Sequence, residues 1–189
     1  MVRAGLTASR IVETAADLAD TDGFDAITMS AVARVFGVKD ASLYAHVRSL
    51  HHLRSGVAVL ALAELADRVG SALAGRAGKD ALVAFANAYR SYALEHPGRY
   101  AATRMRLDPE VALASAAPRH SAMTRAILRG YALPEPEETD AVRLLHSTFH
   151  GFVELESSGG FAYTARPALD SWNRALDALD HTLKNWPEG

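Results

Sequence analysis

Between residues 28 and 48 the chain gathers side chains that hold nucleic acid. Lys39 and Arg48 supply cations, Ser42 a short hydroxyl, Tyr44 a phenol and His46 an imidazole. Hydroxyls, phenols and cations of this kind bond phosphate oxygens in duplex recognition. They are interleaved with apolar residues. Leu43 and Val47 lie four apart and can seat a helix on a core, which leaves Lys39, Ser42, Tyr44 and His46 to point elsewhere. Chemistry that makes or breaks bonds finds less support. There is no Glu-x-x-His pair, no His-Glu-x-x-His, no Gly-x-Ser-x-Gly elbow and no glycine-rich phosphate loop. His146 and His150 stand at i and i+4 but lack a nearby acidic pair on the same side, so a structural or ligand-contact role is expected of them. No catalytic residue, metal or cofactor is expected.

The elements that must position these groups are two short helices about one glycine. The Thr28 hydroxyl can cap a first helix, and Val32, Ala33 and Phe36 recur along it at helical spacing. Gly37 supplies the positive φ that ends it, and a second helix starts within two residues. A turn this short makes the helices cross steeply and the second project outward. In DNA readers the projecting helix enters the major groove, although helix pairs with a glycine turn also occur as plain packing units. Asp40 fits the DNA role least well. Phosphates repel its carboxylate, yet at the first turn of a helix the dipole stabilises it, and there it can accept a hydrogen bond from a cytosine amino group. Base reading and simple support of the helix both remain open for it.

The run from Ile11 to Leu53 resembles the tetracycline-repressor (TetR) family. The resemblance rests on an amphipathic first helix, Gly23-Phe24, Thr28-Met29, Val32-Ala33 and Gly37-Val38, followed by Ser42-Leu43-Tyr44-Ala45-His46-Val47 and Leu53. Further on, Phe149-His150-Gly151 looks like a Trp-His-Gly variant found in one subgroup of such C-terminal halves. Three positions depart from the family pattern. Ala31 replaces an acidic residue that would complete a capping box, so Thr28 caps alone. Lys39 replaces a small hydroxyl and Leu50 a lysine, which shifts affinity toward Lys39, Arg48 and Tyr44. The resemblance implies DNA contact by Thr28, Lys39, Asp40, Ala41, Ser42, Tyr44, His46 and Arg48.

Net charge is −2, no general signature of nucleic-acid binding, but the charge is unevenly placed. Arg34, Lys39, Arg48 and Arg54 face one acid, Asp40, over residues 34–54, whereas Glu13, Asp17, Asp20, Asp22 and Asp25 lie in a stretch without a cation. Arg3 and Arg10, before and at the start of the first helix, could touch the DNA backbone, with a disordered tail the simpler account of Arg3. With 189 residues, half of them hydrophobic, the chain can bury a real core; it has no cysteine, hence no disulfide. The N-terminus does not read as a signal peptide, and the longest apolar run, residues 57–63, falls short of the roughly 20 that a membrane span needs. A cytoplasmic protein with no membrane partner is expected.

Helical patterns cover the rest: residues 7–20, 49–74, 79–96, a short one near 100–107, 120–131, 137–157, and a last helix after Gly159-Gly160. Phe85, Tyr89, Tyr92 and His96 form a stripe on one of them, with Met105 and Met123 nearby in sequence; this is the composition of an apolar pocket with polar handles and equally that of a core. Residues 137–157 have two apolar faces. Val142, Leu145, Phe149, Phe152 and Val153 make one, and Leu144, Thr148, Gly151 and Leu155 the other, where Thr148 and Gly151 permit close approach. Leu169, Trp172, Leu176, Leu179 and Leu183 follow at three-four spacing in the last helix. Two such helices doubled by a two-fold axis make a four-helix-bundle dimer interface through Leu144, Thr148, Gly151, Leu155, Leu169, Trp172, Leu176 and Leu179, the alternative being a bundle within one chain.

The expected architecture is all-α: a three-helix helix-turn-helix DNA-binding domain over residues 1–52 and a helical bundle for dimerisation and ligand binding over 53–189. The resemblance implies a homodimeric transcriptional repressor that leaves its double-stranded DNA operator when a small-molecule effector, apolar or aromatic, binds in the body. Phe85, Tyr89, Tyr92, His96, Met105, Met123, His146 and Phe149 are the ligand-site candidates. A constitutive regulator or activator without effector, and a small helical enzyme, are the competing readings.

Overall fold

The computed structural model describes residues 5–187, so Arg3 lies outside the described residues. All regular structure among them is helical: α1 (Ala8–Asp22), α2 (Met29–Phe36), α3 (Leu50–Leu73), α4 (Gly78–Glu95), α5 (Pro97–Ala102), α6 (Pro109–Ala114), α7 (Ala117–Leu128), α8 (Glu137–Ser157) and α9 (Ala168–Lys184), with short 3-10 turns at Phe24–Ala26, Asp40–Ser42 and Arg129–Tyr131. None of these helices is long and apolar enough to cross a membrane. The chain divides into two compact units, Met1–Leu65 with Glu95–Ala117, and Ala66–Leu94 with Pro118–Gly189.

The first unit starts with α1, whose N-terminus is capped where Thr7 Oγ1 accepts from Arg10 N at 3.3 Å. Ile11, Ala15, Ala16 and Ala19 follow at helical spacing and are buried. Small alanines let neighbouring backbones come close. α2 begins at the cap read from sequence, Ala31 N donating to Thr28 Oγ1 at 3.0 Å, and buries Met29, Val32 and Ala33. Gly37 ends it in the left-handed region at φ 65°, where a side chain would clash with its own backbone. Ile11, Ile27, Val32, Leu43, Val47, Leu53, Val57 and Ala102 close one core. Each such aliphatic side chain contributes roughly 1.5–3 kcal/mol by leaving water. Because Leu53 and Val57 belong to this core, the unit runs through the expected boundary after residue 52 and into α3.

The same unit includes α5, a segment that sequence reading places in the body. Pro97 follows the end of α4 and occupies the first turn of α5, where its missing N–H costs nothing. α5 lies so close to α1 that only glycine fits at position 98, and Arg99 reaches over to the acidic stretch. Its guanidinium pairs with Asp20, with Asp17 at 2.6 Å and with Glu64 at 3.4 Å, while Arg99 N donates to Asp20 Oδ1 at 2.8 Å. The run of acids without cations thus meets its countercharge from a residue far along the chain.

In the second unit α4, α7, α8 and α9 bury an aromatic centre. Phe149 stands 6.0 Å from Phe85, 6.1 Å from Tyr89 and 5.7 Å from Trp172, measured between ring centroids. Leu82, Leu145, Val153, Leu176 and Leu183 surround them. Polar groups at the edge of this core are paired: Trp172 Nε1 donates to Asn87 Oδ1 at 2.8 Å, and Arg90 makes a two-pronged pair with Glu156 at 2.5 and 2.7 Å. The outcome differs from expectation for α9. Trp172, Leu176 and Leu179, read as part of a seam against a second chain, are 0%, 2% and 7% exposed within one chain, where the Trp172 ring packs on Phe149.

Candidate nucleic-acid interface

The reading segment hangs on two buried anchors. Leu43 is 0% and Val47 2% exposed, and between and before them Lys39, Asp40, Ala41, Ser42 and Tyr44 face solvent, as does Arg48 beyond. Tyr44 has 54% of its surface exposed, a large value for a phenol with apolar neighbours. His46 is half-buried. The expected second helix is not a regular α-helix. Asp40–Ser42 form a 3-10 turn, with Ser42 N bonded to Lys39 O and Leu43 N to Asp40 O at 2.9 Å each; His46 N and Val47 N then both donate to Leu43 O at 2.9 Å. Eight residues with a β-branched end, Asp40 to Val47, make few i−4 bonds, so the side-chain anchors, not helix propensity, hold the segment.

Several charged and polar groups read as DNA contacts are committed elsewhere. The Thr28 hydroxyl is occupied as the α2 cap. Arg54, counted among the local cations, donates through one nitrogen to Asp25 O at 2.9 Å and Ile27 O at 3.0 Å, with its guanidinium 5.5 Å from the Phe24 ring centroid, so it braces the reader from within. Arg10 donates to Gly5 O at 3.1 Å. Arg34, Lys39 and Arg48 remain exposed cations, and Arg48 N is fixed by His52 Nδ1 at 3.2 Å. Asp40 is held too: Ser30 Oγ, on α2, donates to Asp40 Oδ2 at 2.5 Å. Sequence reading passed over Ser30. Its signal was faint, a hydroxyl on the outer side of the first turn of α2.

The ligand-site candidates are divided between the units. Phe85, Tyr89 and Phe149 come together, and Tyr92 lies 6.0 Å from Arg68 in the same unit. Phe85, Tyr92 and Phe149 are at most 2% exposed and serve the core, while Tyr89 is half-buried. Met123 lies half-buried on α7, close to Gly70. His146 keeps one edge in solvent with its Nε2 3.2 Å from Thr124 Oγ1, and burial of the remainder pushes its pKa down, toward the neutral ring. His96 and Met105 belong to the first unit. His96 Nδ1 sits 3.0 Å from Asp20 Oδ2 in the first unit, and Met105 lines an open hollow of about 420 Å³ there with Asp22, Phe24, Asp25 and Arg104. The chain re-enters the first unit at Glu95, between Tyr92 and these two residues.

On the dimer face, Leu144, Thr148 and Gly151 are half-buried, and Leu155 and Leu169 are each 51% exposed. A Cβ at Gly151 would meet no atom within 4 Å. This α8 stripe is therefore more open than the α9 seam of Trp172, Leu176 and Leu179.

Comparison with known proteins agrees with this geometry. Residues 82–179 match the family model described as the tetracyclin repressor-like C-terminal domain. An HTH-type transcriptional regulator of Mycobacterium tuberculosis is 41% identical over 160 residues, 82% of this chain and 72% of that one. The HTH-type transcriptional regulator YobS of Bacillus subtilis is 30% identical over 188 residues, 99% of this chain and 94% of that one. Among solved structures, the TetR family protein ActR of Streptomyces coelicolor in complex with actinorhodin has a TM-score of 0.67 at 20% identity, covering 95% of this chain and 97% of that one.

Proposed function

The chain belongs to the tetracycline-repressor family of helix-turn-helix transcriptional regulators, and from that premise we propose that it is a homodimeric repressor of the cytoplasm, released from its operator by a small apolar or aromatic effector. The observation that carries this reading is the reading segment itself. Leu43 and Val47 bury themselves while Lys39, Ala41, Ser42, Tyr44 and Arg48 stay in solvent, and among the described residues no side-chain hydrogen bond or ion pair engages these five. One segment per chain reads half a site, so a two-fold dimer that sets two of them about 34–36 Å apart reaches successive major grooves. The exposed α8 stripe of Leu144, Thr148, Gly151 and Leu155, extended by Leu169, is the surface offered to the second copy.

The effector role is supported by ActR, a similar fold held in complex with actinorhodin, and by a body that has an aromatic centre with Tyr89 half-buried on it and, in the same unit, the partly open groups Met123 and His146. A ligand moves such an equilibrium only through unequal affinity for the DNA-competent and DNA-incompetent states. Selection of bound fragments from a random duplex library is the test. A two-fold symmetric sequence recovered at moderate salt, and released by a compound that also raises the melting temperature, is the expected result. Failure to enrich any sequence defeats the DNA-reading role, and binding that no cell extract relieves favours the constitutive regulator.

A further inference from the structure

Asp40 is the only carboxylate on the reading segment, and phosphates a few ångströms away disfavour it. The structure nonetheless gives it a dedicated partner. Ser30 Oγ donates to Asp40 Oδ2 at 2.5 Å across ten residues, joining α2 to the first position of the 3-10 turn. Both side chains are exposed, so the bond is not there to neutralise a buried group. α2 is itself fixed by buried Met29, Val32 and Ala33, which makes Ser30 a rigid mount. The mount orients the carboxylate and uses one oxygen. Among the described residues Oδ1 takes no hydrogen bond, and Asp40 is exposed, as are Lys39, Ala41, Ser42 and Tyr44.

We propose that Ser30 and Asp40 act as one unit that reads a cytosine in each operator half-site, a step that rests on the DNA-reading role argued above. An ionised carboxylate can only accept, so in the major groove it can bond the amino group of cytosine or of adenine. The adenine amino group has acceptors on both sides, its own N7 and the O4 of the paired thymine. The cytosine amino group has an acceptor on one side only, guanine O6, and a weakly positive C5–H on the other. Repulsion from N7 therefore turns the carboxylate toward cytosine. Thymine and guanine are rejected, because each puts a carbonyl oxygen, an acceptor, where the donor stood. The charge that weakens binding to every other sequence is what excludes the wrong base.

The experiment is a binding panel. The operator recovered from the library is altered one base pair at a time and measured against wild type, Ser30→Ala, Asp40→Ala and the double variant, with melting curves confirming that each is folded. Wild type is expected to show one position per half-site where replacing cytosine by thymine costs on the order of tenfold or more. Asp40→Ala should flatten that position and no other, and bind unrelated DNA as well as or better than wild type. Ser30→Ala should weaken preference at that same position, and add nothing when Asp40 is already alanine. If Asp40→Ala does not fold, Asp40→Asn replaces it and should admit adenine, since its amide nitrogen donates to N7. Equal change across the whole panel, a preferred base other than cytosine, or separate positions affected by the two substitutions overturns the unit while leaving DNA reading intact. Absence of any sequence preference in wild type overturns both.

Discussion

Gly98 on α5 rests against the carbonyl group of Ala19 on α1, at a distance that leaves no room for a Cβ. The neighbouring Arg99 then reaches Asp20 and Asp17 on the same helix. A contact with backbone cannot be relieved by turning a side chain, so Gly98→Ala must move one helix away from the other. It is expected to destabilise the first unit by about 1–3 kcal/mol, the usual cost of overpacking, and to lower operator affinity with it. Urea unfolding followed by fluorescence or circular dichroism reads the first quantity. An unchanged midpoint would show that α5 is not packed on α1 in solution.

Tyr44 offers the cleanest separation of binding from folding. More than half of its surface is exposed, and no described residue takes its hydroxyl, so Tyr44→Ala should leave the melting temperature alone and weaken operator binding by ~1 kcal/mol, the net worth of one phosphate hydrogen bond. A titration at moderate salt measures this. Equal affinity in the variant means that the phenol does not reach the DNA.

Gly151 and Trp172 were read from sequence as members of one interface, and the structure separates them. A leucine at Gly151 has open space in its own chain, and it favours a helix over glycine by about 1 kcal/mol, so Gly151→Leu should be as stable as wild type. It should nevertheless abolish the dimer, since a large side chain holds two α8 stripes apart. Sedimentation at micromolar concentration decides, and a variant that stays dimeric removes this face from the interface. Trp172→Ala is expected to behave oppositely, losing about 3–5 kcal/mol of fold stability because the ring lies at 0% exposure in the core.

Asp180 predicts a pH dependence. Burial favours its neutral form, but hydrogen bonds from Lys184 Nζ at 2.8 Å and Tyr131 OH at 2.9 Å outweigh that and hold its pKa below the ordinary 3.8. A group whose folded pKa is depressed contributes stability that is fully present above its unfolded pKa and disappears as pH falls through the folded one. Asp180→Asn is therefore expected to be less stable than wild type at neutral pH, by about 1–2 kcal/mol, with the gap closing below the ordinary carboxylate range. Melting curves between pH 7 and the acid limit of folding check it (~pH 3). A constant gap over that interval would mean that the charge of Asp180 plays no part.

How much of this could be read without coordinates depends on how local each feature is. Thr28 as a cap, Gly37 as a left-handed stop, Leu43 and Val47 as anchors and Tyr44 as an outward phenol follow from spacings of nine residues or fewer, and the chain obeys them because caps, turns and helix faces are set by near neighbours. The helical class follows likewise from periodicity. Tertiary structure alone decided the partners of charges and the sides of helices. Arg99 and Asp20 are 79 residues apart, and nothing in either stretch announces that one answers the other. Trp172 has the same three-four spacing whether it faces its own chain or a second one, since periodicity marks an apolar face without saying what covers it. His96 was grouped with Tyr92 by that periodicity, which gave no sign that its ring pairs with Asp20, 76 residues away. The Ser30–Asp40 bond belongs to the same kind. Its two residues lie on different elements, and only the angle of the glycine turn between them brings hydroxyl and carboxylate within reach.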